Sequence, residues 1–221
     1  MNRLYLHPLP LRIWHWFNAL VVAVLIGTGL YLRGEGVAAL RPHDPALLAH
    51  KAAGLLLVVA TCFWLVYALS NPQRRGQYRF QAADLRNGFF QAKYYLHGIF
   101  QGGENPFQPS AAAKYNPLQK LAYDTVMFLF LPWLSLTGLL FLDVPLWRPL
   151  VLAENWMGVL GFIHVALAYL LVLYLLVHLY MATLGKTVLS HTRAMLSGYE
   201  EQREPGPREA ENQQEAKGNN A

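Results

Sequence analysis

The sequence predicts an all-α integral membrane protein: a four-helix bundle with both termini inside and an amphipathic surface helix in its middle loop. The composition, four long apolar stretches and the distribution of charge between the loops support this fold class. Apolar residues make up 54% of the 221 residues and charged residues 14%, well below the roughly 25% charged residues of soluble domains. The mean hydropathy is +0.22. A soluble protein of this size would need a more polar surface.

Four stretches are apolar and long enough to cross a hydrocarbon core, which takes about 20 helical residues. These four spans, numbered in chain order, are Ile13–Leu32, Leu47–Leu69, Leu121–Leu142 and Met157–Leu184. A soluble bundle is the alternative, but its helices would carry polar residues at helical period, and segments such as 54–69 carry almost none. No Ala-x-Ala site closely follows the first stretch, so we interpret it as a retained span and not a signal peptide.

Basic residues are concentrated on one side of the predicted membrane. The loop between the second and third spans holds seven Lys or Arg residues against two acids, and Arg3 and Arg12 precede the first span without an acid. The other two loops are sparser, with Arg33 and Arg41 after the first span and Arg148 after the third. Because Lys and Arg are enriched in cytoplasmic loops, we expect both termini and the middle loop to lie inside.

The middle loop is about 50 residues long and contains a segment of mixed character. Residues 85–100 combine apolar side chains with Arg86, Lys93 and His97, which predicts an amphipathic helix on the inner membrane surface. The pI near 9.3 then reflects contact with membrane lipid and not with nucleic acid. We divide the chain into a transmembrane domain over residues 1–198 and a cytoplasmic tail over 199–221, whose polar composition predicts disorder.

Four of the eight histidines lie within the spans: His15, His50, His164 and His178. Ionisable residues inside membranes are uncommon and face the bundle interior or a cavity. Following the chain in and out of the membrane places His15 and His178 at the inner level and His50 and His164 at the outer level. A single such histidine often serves only as a hydrogen-bond partner between helices, but four at matched depths indicate two pairs of metal ligands.

The fourth span supplies one histidine to each level. His164 and His178 are 14 residues apart, which brings them within about 40° of one helix face and separates them by roughly 21 Å. Haem iron accepts two axial nitrogens, and imidazole suits it. We therefore predict two bis-histidine b haems, one held by His15 with His178 and one by His50 with His164. Covalent c-type attachment is excluded because Cys62 is the single cysteine.

Two further sets of residues are compatible with a bound haem but can be explained without it. Glycines in the spans would leave room for a porphyrin, although ordinary close packing between membrane helices uses them equally; they are Gly27, Gly29, Gly54, Gly138 and Gly161. Haem propionates need cationic partners, and Arg12 and Arg193 adjoin the inner level, while Lys51 and Arg148 adjoin the outer level. Each cation can instead be an interfacial residue whose charge reaches water, and Arg12 is the one we favour.

Several local motifs carry a resemblance to a known family over roughly residues 8–200. They are Leu-Arg-Ile-Trp-His-Trp at 11–16, His50 at the start of the second span, Tyr-Asn-Pro-Leu at 115–118, the 14-residue histidine spacing, and residues 195–199 after the fourth span. With these motifs the sequence resembles the cytochrome b subunits of membrane-bound nickel–iron hydrogenases, with relatives in formate dehydrogenases, as their gamma subunit, and in thiosulfate reductases.

The resemblance implies a di-haem cytochrome of bacterial inner (plasma) membranes, with the same four histidines as ligands in the same pairing. It implies a subunit that transfers electrons between a partner oxidoreductase and the quinone pool. The partner would be a periplasm-facing or membrane-bound enzyme such as a hydrogenase, thiosulfate reductase or formate dehydrogenase, or a multihaem cytochrome. The resemblance leaves open whether the chain itself counts as an enzyme.

In the formate dehydrogenase relatives the quinone reacts near the inner haem, which points here to Asn116 and the surroundings of His178. Lys114, Tyr115 and Asp124 are candidates from their location alone. Asn116 followed by proline is equally a helix start, because Asn caps helices and Pro suits the first turn.

Two other functions are compatible with a four-span protein. A proton or metal transporter would use the histidines as relays or ligands, and it predicts carboxylates near them at mid-membrane. Asp124 and Asp143 lie close to span ends instead. A haemless anchor for a soluble enzyme is the second alternative, and it has no need of four depth-matched histidines.

Overall fold

The computed structural model describes residues 3–35, 43–77, 81–103, 105–107, 116–143, 156–185 and 187–201. It consists of two compact units, residues 13–179 and the chain ends, which comprise 1–12 with 180–221. Arg41, Lys114, Tyr115 and Arg148, and residues 202–221 of the predicted tail, lie outside the described residues.

The described elements are almost entirely helical. In chain order they are β1 (Arg3–Tyr5), α1 (Leu9–Glu35), α2 (Pro45–Leu69), α3 (Pro72–Gln77), α4 (Ala82–Leu96), α5 (Pro117–Thr125), α6 (Leu131–Leu142), α7 (Trp156–Ala182), α8 (Ser190–Ser197) and β2 (Tyr199–Glu201). A π turn, Val126–Phe130, joins α5 to α6 in one continuous helix, and a 3₁₀ turn, Gly98–Gln101, follows α4.

Four of these helices are long and apolar enough to cross a membrane: α1, α2, the α5–α6 helix and α7. The prediction of a four-helix membrane bundle is therefore confirmed. The helices start earlier than the apolar pattern does, at Leu9 and Pro117 instead of Ile13 and Leu121. The apolar pattern marks only the part within hydrocarbon, whereas the helix continues to its capping residue.

Capping residues fix where two of the spans begin. The Asp44 carboxylate accepts hydrogen bonds from the backbone N–H groups of Ala46 and Leu47, at 2.8 and 3.2 Å, and Pro45 occupies the first helical position. The third span begins in the same way, with Asn116 as the cap and Pro117 behind it. Both signals match the preference for Asx caps and an N-terminal proline.

The π turn ends at Phe130, two residues before Pro132. In a regular α-helix the proline ring clashes with the carbonyl group one turn earlier. A wider turn at this place relieves that clash and lets the third span continue to Leu142. π turns of this kind occur often at functional sites.

The apolar core of the larger unit involves the first three spans. Its buried residues are Val21, Ala53, Leu57, Trp64, Ala68, Val126, Met127 and Leu131. The fourth span joins this core through Leu171 and Tyr174, which are partly buried. These two residues lie between His164 and His178 in the sequence, so the core holds α7 over the stretch that separates its two histidines.

Helix α4 buries its polar face and exposes its apolar face. Gly88 and Gln91 are buried in it, and a Cβ atom at Gly88 would lie 3.9 Å from the backbone nitrogen of Leu118 in α5. On the other side Leu85, Phe89 and Leu96 are 63%, 70% and 80% exposed. Such an apolar stripe is expected of a helix whose outer neighbour is lipid, as predicted for the middle loop.

The chain ends form the second unit. Arg3–Tyr5 pair antiparallel with Tyr199–Glu201, and Gly198 closes the end of α8. Gly198 has φ +92°, and a Cβ atom there would lie 2.8 Å from the Tyr5 ring, so only glycine suits this position. The first three residues of the segment predicted to be disordered thus form a strand.

Candidate functional site

The four membrane histidines lie in two pairs. At the inner level the ring centroids of His15 in α1 and His178 in α7 are 6.2 Å apart, and their planes are inclined by 54°. At the outer level the centroids of His50 in α2 and His164 in α7 are 6.4 Å apart, with the planes inclined by 68°. The structure therefore brings together the same partners that the depths in the sequence predict.

The spacing within each pair fits one iron between two imidazoles. An imidazole nitrogen lies roughly 2 Å from a first-row metal, so two axial rings on one ion have centroids about 6 Å apart. Within the described ranges, no group of three or more His, Cys, Asp or Glu residues could hold a metal ion. Each pair thus offers two nitrogen donors, the number that a haem iron takes from the protein when the macrocycle supplies the others.

At the outer level, two threonines orient the histidines. The Thr28 hydroxyl donates to the Val24 carbonyl at 2.7 Å and lies 2.9 Å from Nδ1 of His50. The Thr137 hydroxyl donates to the Trp133 carbonyl at 2.7 Å and lies 2.7 Å from Nδ1 of His164.

A hydroxyl group has one proton, which each of these threonines gives to its own helix. Each hydroxyl must then accept a hydrogen bond from the Nδ1–H of its histidine. Both histidines are therefore protonated at Nδ1, and the Nε2 lone pair of His50 and His164 is available to a metal. This is the usual arrangement around ligating histidines.

The inner pair has a different environment. Nδ1 of His15 is buried and has no hydrogen-bond partner among the described residues. His178 stacks on Tyr174, one turn earlier in α7, with ring centroids 5.8 Å apart and planes inclined by 16°. His15 meets Trp16 edge-on at 5.1 Å. Among the described residues, aromatic rings pack against both histidines at this level.

Four of the five span glycines fall into two groups, and the fifth, Gly161, would place a Cβ atom 4.0 Å from the Phe141 ring. A Cβ atom at Gly29 would lie 3.4 Å from the His50 ring, and one at Gly138 would lie 3.7 Å from the His164 ring. At Gly27 and Gly54 an added Cβ atom would meet no heavy atom within 4 Å. The second group therefore does not serve close contact between helices, and Gly54 adjoins His50 one turn along α2. Room beside the outer histidines is the interpretation that these distances favour.

The two arginines proposed for propionates belong to the unit formed by the chain ends. Arg12 donates through Nη1 to the carbonyl group of Leu196, and Arg193 lies exposed in α8. Their role towards a haem stays a prediction.

Asn116 is 3% exposed and is used in the start of α5. Its Oδ1 accepts from the Gln119 N–H at 2.7 Å, and its Nδ2 donates to the Tyr95 hydroxyl at 3.1 Å. Burial raises the pKa of the Tyr95 phenol, which keeps this hydroxyl neutral. Asn116 therefore acts in the structure as the cap of α5, and its part in quinone binding stays a prediction.

The structure adds polar contacts that sequence reasoning missed. Lys120 forms a 2.7 Å salt bridge with Asp84 of α4, and Gln91 donates to Asn105 at 3.0 Å. Thr28 and Thr137 could have been noticed as hydroxyl residues inside apolar spans, but their partners lie on other helices, 22 and 27 residues away. No local pattern predicts such a partner.

The paired imidazoles in a four-span bundle define the class as a membrane cytochrome of the b type. The sequence matches the family model of prokaryotic cytochrome b561 over residues 6–198. The chain therefore belongs to this family, which implies haem b, a role in electron transfer and a place in the bacterial inner membrane.

Two relatives place the chain more closely. It is 34% identical over 204 residues to "Putative cytochrome YdhU" of Escherichia coli (strain K12), covering 90% of this chain and 75% of that protein. It is 26% identical over 144 residues to "Probable Ni/Fe-hydrogenase B-type cytochrome subunit" of Rhodobacter capsulatus, covering 61% of this chain and 53% of that protein. The resemblance to hydrogenase-type cytochromes b is thus confirmed.

Proposed function

We propose that the chain is a di-haem subunit that transfers electrons across the membrane between a partner oxidoreductase and quinone. The observation that carries this proposal is the pair of imidazole couples, with ring centroids 6.2 and 6.4 Å apart. In it, His15 and His178 hold one haem b by its iron, and His50 and His164 hold the other. Haem b, when bound, supplies a one-electron redox couple.

The protein's contribution is to position and insulate these groups. Thr28 and Thr137 hold the outer imidazoles with Nε2 directed away from their own hydrogen bonds. Trp64 and Leu57, in the apolar core, keep water away from the middle of the bundle. Arg12 and Arg193 are the proposed partners of the propionates.

The proposed partner is a membrane-bound or periplasm-facing redox enzyme, and the relative named as a Ni/Fe-hydrogenase subunit supports a partner of that type. We propose that quinone reacts at the inner level, near His178, with Asn116 and Asp124 at the adjoining end of the third span. Lipid contacts the exposed apolar face of α4.

A visible spectrum tests the cofactor content. The purified protein should give a reduced-minus-oxidised spectrum of b type with about two haems per chain, because each imidazole couple binds one. His164→Ala or His50→Ala should remove one haem and leave the other. His97→Ala is the matched control, since His97 is exposed and lies outside the spans, and it should keep both.

The same measurement separates the alternatives. Absence of a b-type band would contradict the cytochrome and favour a haemless anchor or a histidine-based transporter. Retention of both haems in the His164→Ala protein would contradict the pairing of His50 with His164.

A further inference from the structure

Asp124 is a carboxylate within the third span, eight residues after its cap and roughly 12 Å along the helix axis. Its Oδ1 is buried and has no hydrogen-bond partner among the described residues. An ionisable group within a membrane span is uncommon even near the end of the span, and it indicates a path for ions, protons or substrate. A buried polar atom without a partner likewise needs an explanation beyond packing.

One cation lies near two carboxylates at this end of the bundle. The Lys120 ammonium contacts Asp84 at 2.7 Å, with 13% and 16% of the two side chains exposed. Lys120 and Asp84 are also the charged groups that act on Asp124. Because Asp84 holds the ammonium by a direct bond, Asp124 forms no ion pair of its own among the described residues. It can therefore bind and release a proton without breaking an ion pair.

Polar side chains extend from the start of the third span towards Asp124. The Asn116–Tyr95 hydrogen bond lies at the start of α5, and the Asp84–Lys120 salt bridge follows one turn later. Both contacts join the polar face of α4 to α5. This polar seam, formed by the Asn116–Tyr95 and Asp84–Lys120 contacts, gives Asp124 polar neighbours. It lies at the end of the third span that the loop charges predict to be on the inner side of the membrane.

The other side of Asp124 adjoins the inner histidine level. Tyr123, the preceding residue, interacts electrostatically with Tyr174 of α7. Tyr174 in turn stacks on His178, with ring centroids 5.8 Å apart. Asp124 thus belongs to a stretch of α5 that faces a polar seam on α4 and reaches the surroundings of His178.

We propose that Asp124 transfers protons between the inner side of the membrane and the quinone, with Lys120 and Asp84 as positioning residues. This inference rests on the proposed quinone reaction. Reduction of one quinone to quinol takes up two electrons, supplied by the partner enzyme through this subunit, and two protons. Each proton leaves the Asp124 carboxyl group, which is reprotonated from the inner aqueous side. When quinol is oxidised, the same carboxylate accepts the released protons.

The test uses the full chain with its haems, in lipid nanodiscs, reduced by limiting dithionite and mixed with decylubiquinone. Haem oxidation is followed by the b-type band at several pH values. Asp124→Asn should slow oxidation at least tenfold while the spectrum retains both haems, and Asp124→Glu should react almost as the natural chain does. Added acetate, a small weak acid, should restore part of the Asp124→Asn rate. Asp143→Asn, which changes a carboxylate at the other end of the same span, is the control and should leave the rate unchanged.

A second variant acts without altering Asp124 itself. Asp84→Asn removes the competing carboxylate, so Lys120 becomes available to pair with Asp124. A carboxylate held ionised by its own cation binds a proton only at lower pH, and the pH profile of haem oxidation should therefore move to lower pH. An unchanged profile in this variant would count against the assigned role.

Labelling provides a readout independent of turnover. Dicyclohexylcarbodiimide reacts with protonated carboxyl groups in apolar surroundings, and peptide mass spectrometry should find the label on Asp124 in the natural chain. No label at Asp124 would overturn the inference. An Asp124→Asn rate equal to that of the natural chain, or a slow rate that acetate does not restore, would overturn it while leaving the quinone reaction intact. If the haems of the natural chain do not react with decylubiquinone, the proposed quinone function fails and the inference fails with it.

Discussion

At each outer histidine a threonine hydroxyl lies beside Nδ1 and favours a free Nε2. Thr28 and Thr137 donate to their own helices and therefore accept from Nδ1–H of His50 and His164. The inner pair has no equivalent contact at His15. A hydrogen bond to Nδ1–H raises the basicity of the imidazole as a ligand, which stabilises the oxidised iron. The two levels are thus chemically unequal even though their ring separations are nearly the same.

Removing one hydroxyl should change the redox potential of the haem proposed for the outer pair. In Thr137→Val the hydrogen bond to His164 is lost, and a bond of this kind contributes about 0.5–1.5 kcal/mol. A tenfold change in the equilibrium constant of a one-electron couple corresponds to about 59 mV. We therefore expect the midpoint potential of the proposed outer haem to rise by roughly 20–60 mV.

A spectroscopic redox titration measures this shift. Thr125→Val is the matched control, because Thr125 donates to the Leu121 carbonyl of the same span and its described contacts include no histidine. Equal shifts in the two variants, or no shift in Thr137→Val, would refute the assigned role.

The histidines could be predicted from the sequence, whereas the threonines could not. The depth of His164 or His178 follows from counting residues from the end of a span, which is local information. The contact of Thr137 with His164 depends on how two helices are rotated against each other. Chain spacing does not determine that rotation.

Helix α4 carries its charge contacts on the face that packs against α5. Asp84 is hydrogen-bonded there to Lys120 and to the backbone N–H of Gln81. Burial alone would raise the pKa of Asp84, but these two hydrogen bonds and the Lys120 charge together lower it. A lowered pKa means that the ionised carboxylate stabilises the folded state. That stabilisation is present above the ordinary carboxylate range, about pH 4, and is lost as pH falls through the lowered value.

Neutralising Asp84 should therefore loosen the docking of α4. We expect Asp84→Asn to lower the free energy of unfolding of the detergent-solubilised protein by about 1–2 kcal/mol at neutral pH. This value lies between the contribution of an exposed ion pair and the cost of breaking a buried one. The difference from the natural chain should shrink as the pH falls below about 4. Thermal denaturation monitored by circular dichroism at both pH values measures it. A difference that persists in acid would contradict the explanation.

The sequence predicts α4 but not which of its faces turns inward. Apolar and basic residues at 85–100 indicate an amphipathic helix, and the structure places it at Ala82–Leu96 with a 3₁₀ turn after it. The usual expectation is an apolar face against the protein. Here Gln91 is 1% exposed and Phe89 is 70% exposed. In α4 the polar face turns inward because the start of α5 offers polar partners, and the apolar face turns outward because that side faces lipid.

The topology of the whole chain follows from charge and can be tested by reporter fusions. The basic middle loop is predicted inside, and the loops after the first and third spans outside. Alkaline phosphatase is active only when exported, so a fusion after residue 145 should be active and a fusion after residue 77 inactive. Green fluorescent protein, which fluoresces only inside, should give the opposite result at both points. Activity on the reverse sides would contradict the orientation.

Four spans could be read from the sequence because about 20 consecutive apolar residues have few other uses. The unit formed by the chain ends could not. The Arg3–Glu201 pairing joins residues almost 200 positions apart, and three-residue strands leave too weak a pattern to predict. Gly198, with its positive φ, is the clearest local sign of a turn there.

The pairing of β1 with β2 also has a consequence for the order in which the protein matures. Residues 3–5 are made before the four spans, yet their partners at 199–201 are made after them. The spans have entered the bilayer by then, so the small sheet forms after the membrane domain has been made. A nascent chain halted before residue 199 would contain all four span histidines but could not form this sheet.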